Sequence, residues 1–120
     1  MTNLYKISNP VIDGNSFTAT ITFNPAHEVF GGHFPGQPIV PGVVLVEIAA
    51  AAAGMATGIK LAVKEASIIK FLQVVDPREN PVLMLEGSIV EEENKFKTDL
   101  VFRAGNTIFV KIKGMRLLIQ

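Results

Sequence analysis

The sequence predicts an α+β domain in which an antiparallel sheet packs around one long, central, apolar helix. Three observations predict this class. A nearly uncharged stretch from Val43 to Ala56 has the length of one helix, and four segments with strand-like composition follow it, separated by turn residues. With 120 residues, 48% of them hydrophobic, the chain can bury a core as a single domain, 1–120.

The helix is predicted over residues 41–57. Pro41 suits a first turn, where its missing N–H costs nothing, and Gly58 suits the stop. Ala49 to Ala53 form an alanine run, which keeps the helix thin and lets a sheet approach closely. A helix that is apolar nearly all round is expected to be enclosed by protein. The stretch is too short to span a bilayer core of about 30 Å, so we predict no membrane span.

Strands account for most of the remaining chain. Apolar residues alternate with threonines from Phe17 to Phe23, the period-two pattern of a half-buried strand. Four further strands, expected as a meander, cover residues 61–75, 82–91, 95–103 and 107–118. Turns are predicted at Glu93-Asn94 and Gly105-Asn106, because asparagine and glycine accept positive φ.

Charge and composition exclude several function classes. Eleven basic residues balance eleven acidic ones, so there is no net basic charge of the kind that favours nucleic-acid binding. The chain has no cysteine, which removes disulfides, thiolate metal sites and a cysteine nucleophile. His27 and His33, without further ligand pattern, do not predict a metal, and we expect no cofactor. The first residues lack signal-peptide features, which predicts a cytoplasmic protein.

One motif contains side chains that can transfer protons. The run His33-Phe34-Pro35-Gly36 places a histidine on a stiff, turn-rich loop, and Glu47 follows inside the apolar helix. An imidazole is mostly neutral at pH 7 and can act as a base. A carboxyl on an apolar helix is disfavoured in its charged form and can hold a proton. Read alone, His33 could be a capping or surface residue and Glu47 a solvent-facing one.

These residues resemble a known family. His33-Phe34-Pro35-Gly36, Pro41-Gly42 and Glu47 on the following helix are similar to the 3-hydroxyacyl-acyl-carrier-protein dehydratases of the hotdog fold, which are FabZ-like or FabA-like. The similarity is strongest over residues 31–50. The glutamate at Glu47 resembles the elongation branch, whereas the isomerising branch usually has aspartate.

The resemblance implies a reaction and roles. Removing water from a 3-hydroxyacyl thioester takes a proton from C2 and hydroxide from C3. By analogy His33 is the base and Glu47 the acid that protonates the leaving hydroxyl. The N–H groups of Gly42 and Val43, at the start of the helix, would bind the thioester oxygen as negative charge develops.

The resemblance also implies partners and a substrate tunnel. Active sites of this fold lie at a dimer interface, so His33 of one subunit would face Glu47 of the other in a homodimer, and three dimers form a hexamer in some relatives. The substrate would be an acyl thioester of carrier protein or coenzyme A, and Lys60, Lys64, Lys70 and Arg78 could contact an acidic carrier protein. The apolar residues predicted to line the acyl tunnel are Phe34, Leu45, Ile48, Ala51, Phe71 and Leu72.

The sequence departs from the family at two places. Elongation dehydratases typically carry glutamine where this chain has Ala51, and the segment after Phe71 lacks their usual basic residue and proline. We therefore expect a specialised dehydratase for a polyene, polyketide-like or aryl-acyl chain. Two alternatives stay open: an acyl thioesterase of the same fold, and a non-catalytic acyl-binding subunit that completes a heterodimer.

Overall fold

The structure, a computed structural model, describes residues 4–28, 30 and 38–120. His33, Phe34 and the rest of the 31–37 motif lie outside these residues. The elements in chain order are β1 (Tyr5–Ile7), β2 (Val11–Asp13), β3 (Ser16–Phe23), α1 (Gly42–Thr57), β4 (Leu61–Phe71), β5 (Val82–Glu92), β6 (Lys95–Ala104) and β7 (Thr107–Ile119).

The strands form one antiparallel sheet with α1 packed against it, which confirms the predicted α+β class. The strand order is β1-β3-β5-β6-β7-β4, and β2 pairs with β3. The predicted strands are present, but β4 ends at Phe71 rather than at residue 75, and β1 and β2 are additional. Asn94 (φ 55) and Gly105 (φ 58) have the positive φ expected at the two turns.

The helix is short rather than long, with 16 residues in α1, although it begins only one residue later than in the predicted range 41–57. Pro41 precedes it, and Gly58 ends it in the left-handed conformation (φ 72), donating its N–H to the Gly54 carbonyl. The residues turned toward the sheet are buried: Val44, Leu45, Ile48, Ala49, Ala50, Ala52 and Ala53. The expectation that protein encloses the helix is wrong for a single chain, because a stripe with a spacing of four residues is exposed along it: Val43, Glu47, Ala51 and Met55.

The core lies between α1 and the inner face of the sheet. Ile48 of α1, Phe17 of β3, Leu85 of β5, Phe102 of β6 and Ile112 of β7 are almost completely inaccessible to solvent. Such burial of large apolar side chains is the dominant favourable contribution to folding. The sheet therefore holds α1 by one face and leaves the opposite face open.

An irregularity between β6 and β7 is held by a side chain. The register shifts between Thr98 and Leu100, and Oδ1 of Asp99 accepts a hydrogen bond from the Gly114 N–H at 2.7 Å. Gly114 has φ 63, a conformation that glycine adopts at little cost. Thr98, the buried polar residue beside this site, donates its hydroxyl hydrogen bond to the Ser88 carbonyl at 2.6 Å.

Strand β4 lies at the edge of the sheet. It pairs with β7 on one side, and no strand pairs with its other side within the described residues 4–28, 30 and 38–120. Apolar side chains are exposed along it and just beyond it: Val63, Ile68, Ile69, Phe71, Leu72 and Val74. Among the described residues, no helix combines the length and apolar character needed to cross a bilayer.

Candidate active site

Glu47 opens onto a groove between the exposed stripe of α1 and the start of β4. The groove has a volume of about 710 Å³, within the usual range of small-molecule sites. Because its lining is mainly apolar, it suits a hydrocarbon chain, with the Glu47 carboxyl as its acidic group. The residues that line it are Val43, Val46, Glu47, Ala50, Ala51, Gly54, Met55, Ile59, Lys60, Leu61, Ala62, Val63 and Gln120.

The start of α1 leaves backbone donors available. The N–H groups of Val44 and Leu45 both point to the Pro41 carbonyl, at 3.0 and 3.3 Å. No side chain that the structure describes caps the helix, and the first turn of the helix carries no acidic residue. In the described part of the chain, the N–H groups of Gly42 and Val43 have no acceptor, so they can donate to a bound anion or polarised oxygen.

A second cavity, of about 440 Å³, lies on the other side of this first turn. The Phe71 ring packs against Gly42 there: a Cβ added to Gly42 would lie 2.9 Å from the Phe71 Cζ. Glycine is therefore the residue that lets the ring reach the helix start. The lining residues are Ile39, Val40, Pro41, Gly42, Leu45, Phe71, Leu72, Gln73, Val74 and Val75.

The structure thus divides the predicted site residues between two neighbouring cavities. Val43, Glu47 and Ala51 line the groove, whereas Gly42, Leu45, Phe71 and Leu72 line the second cavity. Ile48 lines neither, because it is fully buried in the core. His33 and Phe34 lie outside the described residues, so their predicted roles stay predictions.

Sequence reasoning missed part of the groove. Val46, Ala50, Gly54 and Met55 line it but were not predicted. Their signal was present in the spacing: starting from Glu47, steps of three and four residues lead along one helix face through these positions. The contributions of β4 and Gln120 could not be read this way, because they depend on how the sheet closes.

The surroundings of Glu47 include a phenol. Burial raises the pKa of Tyr5, and the negative charge of Glu47 raises it further. Tyr5 belongs to β1 and packs against the core.

The basic residues predicted to contact a carrier protein lie in different electrostatic surroundings. Lys60 lines the groove. Lys70 lies directly opposite Lys111 across β4 and β7, and like charges opposed in this way repel each other. Arg78 is bound to Asp76 at 3.2 Å, which partly neutralises it.

A family model described as ApeI dehydratase (ApeI-like) matches residues 9–111. The chain belongs to the ApeI-like dehydratase family. Among curated proteins, it is 32% identical over 71 residues to a 3-hydroxyacyl-[acyl-carrier-protein] dehydratase FabZ of Roseobacter denitrificans, covering 59% of this chain and 45% of that protein. A protein of the same name from Levilactobacillus brevis is 35% identical over 95 residues, covering 71% of this chain and 61% of that protein.

The ApeI-like chain therefore spans between about half and three-fifths of the length of these two relatives. Among solved structures, it is similar to "The Dehydratase Heterocomplex ApeI:P from Xenorhabdus doucetiae", with a TM-score of 0.72, 17% identity, and coverage of 94% of this chain and 96% of that one. At that identity the likeness concerns the fold, and it confirms the hotdog architecture implied by the resemblance.

Proposed function

We propose that this chain is a hydro-lyase that removes water from a 3-hydroxyacyl thioester to give the trans-2-enoyl thioester. The observation that carries the proposal is the position of Glu47 on an apolar groove, in a chain of a dehydratase family. One helical turn away lie the N–H groups of Gly42 and Val43, which have no acceptor among residues 4–28, 30 and 38–120. This arrangement supplies an acid and an oxyanion site beside space for an acyl chain.

The reaction balances with these groups and one base. His33, the proposed base, takes the proton from C2, and the electrons of that C–H bond form the C2–C3 double bond. The C3–O bond breaks, and the hydroxyl leaves as water with the proton given by Glu47. The thioester oxygen carries negative charge during proton removal, and the N–H groups of Gly42 and Val43 stabilise it.

The proposed active unit is a homodimer. Two features support a second copy as the partner: the exposed stripe of α1 carrying Glu47, and the unpaired, apolar edge of β4. Long apolar edge strands with free N–H and C=O groups favour pairing with another strand. In this dimer His33 of one subunit approaches Glu47 of the other, and the covering subunit removes water from the groove. Three such dimers could assemble further into a hexamer.

A heterodimer is the second arrangement that an observation favours. The similar solved structure is named as a dehydratase heterocomplex, and a related chain could cover the same stripe and edge. Mixing the purified chain with such a partner and measuring turnover against the chain alone separates the two arrangements.

The proposed substrate is bound to acyl carrier protein, as the names of the curated relatives indicate for those proteins, with coenzyme A as the other possible carrier. Lys60 beside the groove and the cationic pair of Lys70 and Lys111 suit an acidic carrier surface. Ala51 leaves the groove wide one turn beyond Glu47, which supports a conjugated, polyketide-like or aryl-acyl chain as substrate.

The test is turnover of 3-hydroxyacyl carrier-protein thioesters, followed by mass spectrometry as loss of water and in reverse as hydration of the enoyl thioester. We expect Glu47→Gln and His33→Ala to lower the rate by at least about a hundredfold, the usual contribution of a general acid or base. Glu91→Gln, which changes an exposed glutamate of β5, is the matched control and should keep the wild-type rate.

Two results would contradict the proposal. Absence of water loss and hydration with every thioester, alone or with a related partner chain, would exclude the dehydratase function. A full rate in Glu47→Gln would exclude Glu47 as the acid. Release of free thiol from an acyl thioester would instead identify a thioesterase. Preference for ordinary saturated chains over conjugated ones would contradict the specialised substrate.

A further inference from the structure

The groove continues well beyond the proposed reacting groups. Met55, its last helical residue, lies eight positions after Glu47 on the same face of α1. At 1.5 Å per residue this separation is about 12 Å along the helix axis. An extended hydrocarbon of roughly nine or ten carbons has this length. The groove is therefore long enough for a chain of medium length, not only for a four-carbon unit.

Small side chains keep the middle of the groove open. Ala50, Ala51 and Gly54 form the helix side between Glu47 and Met55. Gly54 is constrained by the turn that follows, because a Cβ there would lie 3.0 Å from the Ile59 carbonyl oxygen. The width at this point is thus partly a consequence of how α1 ends, and no bulky side chain from the helix blocks the path.

The far end of the groove has larger and more polar side chains than its middle. Among the α1 residues that line the groove beyond Glu47, Met55 has the largest side chain, and it is 41% exposed. It lines the groove with Ile59, Lys60 and Gln120, of which the last two are polar. A hydrocarbon chain that reached past Met55 would meet the polar groups of Lys60 and Gln120, which favours a stop at this point.

We propose that Met55 sets the length of acyl chain that this protein accepts. The inference rests on the proposed function and deepens it: the acyl chain of the thioester lies along α1 from Glu47 to Met55, and the Met55 side chain contacts its end. The volume of about 710 Å³, the apolar lining and the acid at one end all fit a hydrocarbon that begins at a reacting thioester. Met55 is a specificity-determining residue and takes no part in the proton transfers.

The experiment compares Met55→Trp and Met55→Ala with the wild type on 3-hydroxyacyl thioesters of four, ten and fourteen carbons. Tryptophan fills the end of the groove. We expect kcat/KM for ten carbons to fall about tenfold or more, since each misplaced methylene costs about that factor. The value of kcat/KM for four carbons should fall much less, because a four-carbon chain ends before Met55. Alanine lengthens the groove and should raise the ratio of fourteen-carbon to ten-carbon turnover.

Val82→Trp is the matched control, because Val82 is comparably exposed, at 48%, and lies on β5 away from the groove. This variant should keep the wild-type chain-length profile. Circular dichroism shows whether Met55→Trp folds. If it does not fold, the chain-length profile of Met55→Ala still tests the inference.

A binding measurement separates failure of this inference from failure of the proposed function. Calorimetry with unreactive S-alkyl pantetheine thioethers of four and ten carbons requires no catalysis. We expect Met55→Trp to weaken binding of the ten-carbon probe about tenfold and to leave the four-carbon probe unchanged. If neither chain-length profile nor probe affinity responds to Met55, the inference is overturned, whether or not the wild type removes water.

Discussion

Replacing Gly42 by alanine should destabilise the protein and impair the helix start. The new Cβ would lie 2.9, 3.1 and 3.4 Å from three carbons of the Phe71 ring, against optimal carbon–carbon separations of about 3.5–4.0 Å. Overpacking of a well-packed core costs about 1–3 kcal/mol, and the cost here is expected at the lower end, about 1–2 kcal/mol, because Phe71 is 53% exposed and the tip of its ring can move aside. Alanine recovers at most about 1 kcal/mol through its higher helix propensity. The expected net loss is about 1 kcal/mol, or roughly 3–5 °C in Tm.

The Phe71→Leu background shows whether the ring is the cause. Leucine removes the ring atoms that the new methyl group would meet, so Gly42→Ala should cost at least about 1 kcal/mol less in this background. The assay is urea unfolding of the four proteins of the double-mutant cycle. Gly14→Ala is the control: Gly14 has φ 61 and no atom near its added Cβ, so its cost should be equal in both backgrounds. Equal costs for Gly42→Ala in both backgrounds would refute the reasoning.

Three further predictions concern the fold. Gly114→Ala should lower the free energy of unfolding by more than about 2 kcal/mol, because φ is 63 and the added Cβ would lie 2.6 Å from Ser67 Oγ. Urea unfolding measures this loss, and an unchanged stability would contradict the expected steric strain. Ile48→Ala should cost about 2–5 kcal/mol through the cavity it leaves in the core, seen as a lower midpoint at unchanged slope. The hydrogen bond and charge of Arg103 lower the pKa of Glu86 below its ordinary value of 4.5. The folded state therefore binds fewer protons at Glu86, so the contribution of the pair to stability is present above about pH 4.5 and is lost as the pH falls through the lowered pKa. Arg103→Gln should flatten the dependence of Tm on pH in that range. An unchanged slope would exclude the Glu86–Arg103 pair as the source of the pH dependence.

Much of the fold could be predicted because local patterns determine it. Alternation of apolar residues and threonines marked β3, and Asn94 and Gly105 marked the two hairpin turns that they occupy. The helix bounds differ from the prediction by one residue, because Pro41 and Gly58 limit the helix through backbone chemistry. The short strands β1 and β2 were missed, since three residues are too few to show a period.

The candidate site was predicted less completely, for a physical reason. Apolar residues on every side of Glu47 suggested burial, but the sheet covers only one face of α1 and Glu47 is exposed in the single chain. Which face the sheet covers depends on long-range packing, which a local sequence pattern does not reveal. For the same reason Ile48, adjacent to Glu47 in sequence, lies in the core and not in the groove.

The composition of β4 has a consequence for how the chain avoids misassembly. A newly folded chain exposes the edge of this strand, and its apolar side chains would let an extended segment add to it. The same strand carries Lys64, Glu65 and Lys70, and a register irregularity lies between Val63 and Glu65. Charges and irregularities on an edge penalise most alignments. An incoming strand must therefore match both the order of the charges and the register irregularity, so the edge disfavours random aggregation.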